Sequence, residues 1–274
     1  MRLRVNACIV AYENPELMLR SAVNSVLNEK ECVHRLYVVD NSPTDRLQQN
    51  CNDKVSYLFS GENLGFGKAN NVAIQKSLDE GMDYHVLVNP DISFKKGVIE
   101  KLVTFMDENP DVGLVAPKVL YPDGTVQYLC KLMPTPFDLI GRRFFGWGPF
   151  ITYLNKRNKN YEMQDSGYDK EMDVPILSGS FMMIRTSVLK EVGIFDERYF
   201  MYLEDFDLCR RIGEVSRTVF TPKVSVTHEY KKGSYFNRRL FKQHIISAVK
   251  YFNKWGWFFD KRRDFVNKNC MKQW

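Results

Sequence analysis

The chain's 274 residues, 44% apolar and 14% aromatic, suffice for one large α/β domain or two small ones and argue against disorder. No apolar run approaches the roughly 18 residues needed to span a bilayer, and Met1–Arg4 followed by the apolar Val5–Val10 reads as a first strand rather than a signal peptide. The net charge of +6 is divided unevenly: residues 231–274 hold twelve Lys or Arg against two Asp, a balance of +10, which leaves residues 1–230 at −4 and points to a polyanionic surface as partner for the tail.

In chain order, apolar and β-branched runs at Arg4–Val10, Leu36–Val39, Val55–Phe59, Tyr84–Val88, Gly113–Ala116, Ile176–Ile184 and Thr218–Phe220 predict strands. Helical periodicity falls between them, at Pro15–Asn28, Gly67–Glu80, Lys96–Asn109, Thr186–Val192 and Leu203–Ile212. The first helix is expected to use Asn14 as its cap with Pro15 in the first turn, and to bury Leu19, Val23, Val26 and Leu27. The second follows Gly65-Phe66-Gly67 and presents Ala69, Val72, Ala73 and Ile74 before Gly81 ends it. The alternation predicts a mostly parallel sheet flanked by helices, one domain over residues 1–230.

Residues 130–173 break this rhythm. Pro134, Pro136, Gly141, Gly146, Gly148 and Pro149 interrupt periodicity, and Phe137, Phe144, Phe145, Trp147, Phe150 and Tyr153 with Arg142, Arg143, Lys156, Arg157 and Lys159 make the stretch aromatic and basic. A long irregular insertion of this kind is expected to act as a lid or an acceptor-contacting region. In the basic tail, residues 231–274, helical period over Phe236–Asn253 puts Leu240, Phe241, Ile245, Ala248, Val249 and Phe252 on one face. Trp255, Trp257, Phe258, Phe259 and Lys261-Arg262-Arg263 follow. The tail reads equally as a membrane-surface element and as a C-terminal helix packed on the domain with a solvated basic face.

Polar residues interrupt the apolar pattern at four strand ends. The apolar Tyr84–Val88 stops at Asn89-Pro90-Asp91. Pro90 cannot donate to a sheet ladder and pushes Asn89 toward extended backbone, so Asn89 and Asp91 should project from the carboxyl end of a strand, where open α/β sheets bind ligands. A carboxylate there suits a hard cation, and a cation suits a diphosphate; the same three residues are also ordinary turn formers. The other ends are Ala11-Tyr12-Glu13-Asn14, Asp40-Asn41-Ser42, and Leu203-Glu204-Asp205-Phe206-Asp207 at the start of a helix. Several polar ends on one parallel sheet converge on one rim. The loop Gly61–Gly67 lacks both the dinucleotide fingerprint and the phosphate-loop lysine, so its expected job is a tight turn that brings backbone close to a ligand. Three carboxylates at a helix start exceed what capping needs, and crowding raises the pKa of at least one, as a general base requires. His228 is structural by default, or a metal ligand partnered with Asp91.

Taken in order, Ile9-Val10-Ala11-Tyr12, Val38-Val39-Asp40-Asn41-Ser42, Glu62-Asn63-Leu64-Gly65-Phe66-Gly67-Lys68-Ala69-Asn70-Asn71, Leu87-Val88-Asn89-Pro90-Asp91, Ser178-Gly179-Ser180-Phe181-Met182-Met183-Ile184-Arg185, Gly193-Ile194-Phe195-Asp196-Glu197, Glu204-Asp205-Phe206-Asp207-Leu208 and His228 carry a likeness. The chain resembles the family 2 glycosyltransferases of GT-A fold, in particular the rhamnosyltransferase-like branch. The resemblance implies a nucleotide-diphosphate sugar as donor, deoxythymidine diphosphate rhamnose first, with Mg²⁺ or Mn²⁺ as cofactor and inverting transfer to a saccharide acceptor. It places Ala11, Tyr12 and Glu13 at the nucleotide and gives Asp40 a hydrogen bond from the base ring. Asn63, Gly65 and Asn71 fall beside the ribose and sugar, and Asn89 in the donor site. Asp91 and His228 hold the metal. Asp205 is the catalytic base, Glu204 its alternative, and Asp207 caps or orients. Most of the wider family carries Asp-x-Asp where this chain has Asn89-Pro90-Asp91, which leaves one carboxylate to work with substrate phosphates.

The basic aromatic tail suits a lipid-linked saccharide acceptor at the inner face of a membrane, in cell-surface polysaccharide synthesis. The six cysteines, Cys8, Cys32, Cys51, Cys130, Cys209 and Cys270, show no metal-ligand or redox spacing, so reduced thiols in the cytoplasm are expected. A nucleic-acid-binding α/β protein using the tail is the competing class, but it leaves carboxylates facing phosphates at the rim, so no nucleic-acid partner is expected. A dehydrogenase would need a glycine fingerprint where Tyr12-Glu13-Asn14-Pro15 stands. Against a catalytically silent saccharide-binding relative stands the retention of Asp91, Asp205 and His228.

Overall fold

The structure, a computed structural model, describes residues 4–51, 53–141, 151–229 and 238–273. Its first half alternates strand and helix: Val5–Ala11 (β1), Glu16–Leu27 (α1), Val33–Asp40 (β2), Val55–Phe59 (β3), Phe66–Asp79 (α2), Tyr84–Val88 (β4), Ile92–Ser93 (β5) and Val98–Glu108 (α3). Val112–Leu120 (β6), Ile151–Tyr161 (α4), Met172–Asp173 (β7), Phe181–Arg185 (β8), Thr186–Val192 (α5), Glu204–Ile212 (α6), Arg217–His228 (β9), Arg238–Trp255 (α7) and Lys261–Cys270 (α8) follow.

These strands form one mixed sheet in the order β3-β2-β1-β4-β8-β6-β9-β5, with β7 also on β9. β1 pairs in parallel with β2 and β4, and β2 with β3. The register brings the carboxyl ends together: Ala11 lies opposite Asp40, and Ile9 opposite both Val38 and Val88. β8 enters antiparallel between β4 and β6, with Phe181 opposite Val88. The turn before β8 therefore reaches the same rim.

Side chains alternate across the sheet, as strand geometry requires. Ala7, Ile9, Val86, Val88, Phe181 and Met183 pack on one face with α1 and α3, through Leu19, Val23, Val26, Ile99, Leu102 and Met106. On the other, Leu87, Met182 and Ile184 meet α5 and α6 through Leu189, Leu208 and Ile212. Cys8, Tyr37 and Val39 pack beneath Ala69 and Ala73 of α2. Burying each large apolar side chain contributes about 1.5–3 kcal/mol, which fixes the register of every strand that positions the rim.

Several local expectations change. Asn14 does not cap α1; its Oδ1 accepts from Tyr12 N–H at 2.8 Å, and Pro15 precedes the first turn. Val72 is exposed on α2. β8 begins at Phe181, because Ile176 makes only an isolated bridge to Lys131 and the residues between turn at the rim. β9 runs from Arg217 to His228, well beyond the short run expected. The stretch 130–173 is not irregular throughout: the prolines stop at Pro149, no glycine or proline lies within Ile151–Tyr161, and that segment is helix α4. Its flanks, including Cys130, Leu132, Tyr161 and Tyr168, enter the second core. Arg142, Arg143, Phe144, Phe145, Trp147 and Phe150 lie outside the described residues, as does Phe236.

The tail helices pack on that same core through Ala248, Tyr251, Phe252 and Cys270. The buried face of α7 is thus Ser247, Ala248, Tyr251 and Phe252, while Val249, expected on the apolar face, is exposed. Polar contacts set this rotation: Ser247 Oγ donates to Met201 O at 2.8 Å, and Trp255 Nε1 donates to Asp207 Oδ1 at 2.8 Å. Among the described residues no helix is long and apolar enough to cross a membrane.

Candidate active site

The ends of β1 and β2 form the first part of the rim. Asn41 N–H donates to Ala11 O at 2.8 Å, and Glu13 N–H donates to Ser42 Oγ at 2.8 Å. Ala11 is buried, while Tyr12 and Glu13 are exposed above it. Glu13 adopts φ 49°, a left-handed conformation that costs a non-glycine residue about 1–3 kcal/mol and is concentrated at functional loops. Asp40 stands below the surface. It is fully buried, with Oδ1 accepting from Ser42 N–H at 2.9 Å and Oδ2 from the Tyr57 hydroxyl at 2.6 Å. Burial and the Asp40 charge push the Tyr57 phenol up, so it stays a donor. As placed, Asp40 has no surface to offer a base ring; it orders the loop that carries Ser42 and, through it, Glu13.

The glycine loop also differs from expectation. Gly65 has φ 83°, and a Cβ there would sit 2.1 Å from Phe200 O. The close approach is to this chain's own backbone, where Phe66 N–H donates to Phe200 O at 3.0 Å, and not to a ligand. Asn63 Oδ1 caps the turn by accepting from Gly65 N–H at 3.0 Å and stands exposed. Asn71 does not reach the rim. Its amide donates to Phe195 O at 2.9 Å and to Glu197 Oε1 at 3.1 Å, and its Oδ1 accepts from Phe195 N–H at 3.0 Å. A buried carboxamide engaged by the Phe195 main chain and the Glu197 carboxylate fastens the 193–197 segment to α2 and turns away from the rim.

Asp91 and His228 do come together. β5 pairs Ile92 with His228, and Glu229 N–H donates to Asp91 O at 2.9 Å, so the two side chains face one another with Oδ1 and Nε2 3.2 Å apart. Gln127 sets the ring. Its Nε2 donates to His228 O at 2.8 Å, so its Oε1, 2.9 Å from Nδ1, acts as acceptor and keeps the imidazole proton on Nδ1. In the neutral imidazole that tautomer turns the Nε2 lone pair toward Asp91 Oδ1, a buried carboxylate oxygen that takes no hydrogen bond among the described residues. Two facing acceptors of this kind fit a shared cation. No third His, Cys, Asp or Glu joins them among the described residues, so phosphate oxygens and water would complete the shell, as Mg²⁺ sites commonly require.

The acidic cluster opens α6 from a strained turn. Tyr202 and Leu203 adopt φ 70° and 67°, two consecutive left-handed residues without glycine's freedom. The turn delivers Asp205 to the loop before β8: Oδ2 accepts from Gly179 N–H at 2.9 Å, and Oδ1 from Phe206 N–H at 2.9 Å. The neighbouring Ser180 O accepts from Asn89 N–H at 2.9 Å, so one three-residue turn links the carboxylate to the end of β4. The Asn89 side chain makes no hydrogen bond among the described residues and is half-buried at the rim. Burial pushes the Asp205 carboxyl above its ordinary range, while the two amide donors and the Lys131 charge restrain the shift.

Glu204 is buried behind it, with Oε2 lacking a hydrogen bond, and burial together with the Asp205 charge pushes its carboxyl up as well. Two main-chain amides orient Asp205, while Glu204 Oε2 takes no hydrogen bond among the described residues, so the geometry favours Asp205 over Glu204 as base. Asp207 is fully buried, accepting from Arg211 Nε at 2.9 Å and Trp255 Nε1 at 2.8 Å, with Lys254 Nζ at 2.7 Å. It fastens the helix. The sequence motifs contain Ser42 and Ser180 without assigning them a role, and Tyr57, Gln127 and Lys131 are not marked by any motif. Ser42 sits at a rim end already marked as polar; Gln127 and Lys131 fall beyond β6 in a stretch with no motif to mark them.

Residues 7–193 match the sequence profile described as Glycosyl transferase family 2. An N-acetylglucosaminyl-diphospho-decaprenol L-rhamnosyltransferase of Mycobacterium tuberculosis is 34% identical over 203 residues, which cover 70% of this chain and 65% of the relative. The match thus spans just under two thirds of that relative's length. Rhamnosyltransferase WbbL of Escherichia coli is 27% identical over 234 residues, 82% of this chain and 84% of the relative. Among solved structures, GalNAc-T7 with UDP, GalNAc and Mn²⁺ superposes with a TM-score of 0.63 at 14% identity, over 90% of this chain and 48% of that one. That likeness bears out the expected GT-A fold. Over most of its length the chain belongs to glycosyl transferase family 2, in the branch that holds the rhamnosyltransferases.

Proposed function

We propose that the chain transfers a sugar, with inversion, from a nucleotide-diphosphate donor to a hydroxyl of a lipid-linked saccharide, in cell-surface polysaccharide synthesis. Deoxythymidine diphosphate rhamnose is the first donor to test, by likeness to the rhamnosyltransferases above. The observation that carries the reading is the facing of Asp91 Oδ1 and His228 Nε2 at 3.2 Å, with the tautomer fixed by Gln127. A carboxylate and an imidazole converge there, a donor pair suited to a divalent ion.

Tyr12 and Glu13 contact the nucleotide, Asn63 borders it, and Asn89 contacts the donor at the end of β4. Asp91 and His228 hold the divalent ion, Mg²⁺ or Mn²⁺, which when bound neutralises charge developing on the diphosphate leaving group. Asp205 takes the proton of the acceptor hydroxyl as that oxygen bonds to the anomeric carbon and the bond to the diphosphate oxygen breaks. Its two amide hydrogen bonds fix the direction in which the carboxylate faces the hydroxyl. Glu204, buried and without those two amide donors, is the weaker candidate for base.

The lipid-linked acceptor follows from the name of the mycobacterial relative, and the +10 tail suits the anionic inner face of a membrane, where the protein would work peripherally from the cytoplasm. Asp205→Asn should lower turnover by about 10²–10⁴-fold while donor binding, read by calorimetry, stays close to that of the parent. Turnover near the parent's would remove Asp205 from the role of base.

A further inference from the structure

The membrane-surface reading of the tail assigns contact to the apolar stripe of an amphipathic helix, yet in the structure Ala248 and Phe252 of that stripe are spent on the core. The residues left facing outward are different. In the link between α7 and α8, Phe258 is 75% exposed and Phe259 97% exposed, and on α8 Phe265 is 64% exposed. An isolated exposed phenylalanine is unremarked on protein surfaces; two in succession, one with almost its whole ring in water, need a reason.

The backbone beneath these rings is locked. Gly256 has φ 101°, and a Cβ there would sit 3.0 Å from Phe259 O. Arg263, itself buried, donates from Nη2 to Phe258 O at 2.9 Å. Asp260 caps α8 by accepting from Arg263 N–H at 3.0 Å and forms a buried bidentate pair with Arg210 at 2.6 and 2.9 Å. Trp257 lies against Phe252 with ring centroids 5.3 Å apart. The polar and apolar groups of the link are thus engaged inward, and two phenyl rings are held outward on a main chain with little freedom left to lose. A preorganised element of this kind gives up less entropy on binding.

The chemistry around the rings selects the occupant. Lys261, Phe265, Lys268 and Lys272 recur at positions i, i+4, i+7 and i+11, one face of α8 and its continuation, and all four are exposed. Arg262 flanks them, and Asp264 is the single carboxylate of the helix. Aromatic rings ringed by cations match a surface that is apolar inside and anionic outside. We propose that the Phe258-Phe259 link inserts into an anionic lipid leaflet, with Lys261, Lys268 and Lys272 resting on its headgroups.

The proposal rests on the membrane-bound acceptor of the preceding reading and gives it a place. Asp260, next to the inserted rings, is paired with Arg210 of α6, and Arg210 lies five residues, about 7.5 Å along the axis, from Asp205. The link that carries the rings is thereby fastened to the helix that carries the base. Nucleic acid could also stack on exposed rings, so single-stranded DNA is included in the test.

The test is co-sedimentation of the full chain with phosphatidylglycerol–phosphatidylcholine vesicles and with pure phosphatidylcholine vesicles. The parent should bind the anionic vesicles. Phe258→Ser with Phe259→Ser should weaken partitioning by about tenfold or more, and reversal of Lys261 and Lys268 to Glu should weaken it by a comparable factor on anionic vesicles only. Thermal melting and donor binding should be unchanged in both variants, since these side chains are solvent-exposed. Parent that ignores anionic vesicles, variants that bind as the parent does, or a parent that binds single-stranded DNA and no vesicle would overturn the proposal. Failure of the glycosyltransferase reading would show separately, as a parent that binds no nucleotide sugar in solution.

Discussion

Glu204 is a carboxyl placed where its charge is unwelcome: buried, short of hydrogen-bond donors and next to Asp205. When the folded pKa of an acid lies above its unfolded value, the folded state holds the proton more tightly. Stability is then fullest below the unfolded value, about 4.3 for glutamate, and declines as pH rises from there through the raised folded value. Glu204→Gln removes that titration. The melting temperature of the variant relative to the parent should therefore climb from acid to alkaline pH, and a difference that stays constant with pH would contradict the buried-acid account. At the same scale, side-chain chemistry told only part of the story in advance. Asp91, His228 and Asp205 were legible because few residue types hold cations or move protons and these follow strand ends or open a helix. Asp40 and Asn71 are equally polar, but the Ser42 amide and Tyr57 hydroxyl claim the first, and the Phe195 main chain and Glu197 the second. Nothing in a residue's type says whether its partner will be a ligand or its own backbone.

At the scale of elements, α6 is the pivot. A strained entry at Tyr202 and Leu203 aims it, Gly67 lets α2 lie close to Glu204 at its start, and Asp207 ties it to α7. Trp255→Phe keeps an aromatic side chain, trims the indole that packs on the second core under Arg210, and removes the N–H donor to a buried carboxylate. It should lower the unfolding free energy by about 1.5–3 kcal/mol in chemical denaturation with donor affinity unchanged; no loss of stability would mean that α7 does not brace the helix. The parallel strands β1, β2 and β4 were readable because runs buried on both faces are predominantly apolar, as Ala7–Ala11, Leu36–Val39 and Val86–Val88 are. β5 and β7, two residues each, carry no period to detect, and yet β5 is what brings Asp91 to His228. The tail helix was readable as a helix. Its rotation was not, since Ser247 and Trp255 turn it through contacts with residues far away in the chain.

For the whole molecule, two charge regimes share one body: a mildly acidic domain whose carboxylates gather on the rim, and a basic tail packed onto its second core. The division suits a donor site that needs a cation and a separate surface that seeks an anionic leaflet. The account stands or falls on the donor site. A thermal-shift panel of nucleotide sugars that includes deoxythymidine diphosphate rhamnose, run with Mn²⁺, with Mg²⁺ and with chelator, on the parent and on Asp91→Ala, tests it most directly. A ligand present at about 100-fold over its Kd stabilises the folded state by about 2.7 kcal/mol, a readily measured shift. The account predicts that at least one donor stabilises the parent in the presence of a divalent ion, and that chelator or Asp91→Ala removes the shift. No shift with any donor, or the same shift without the cation and without Asp91, would contradict it.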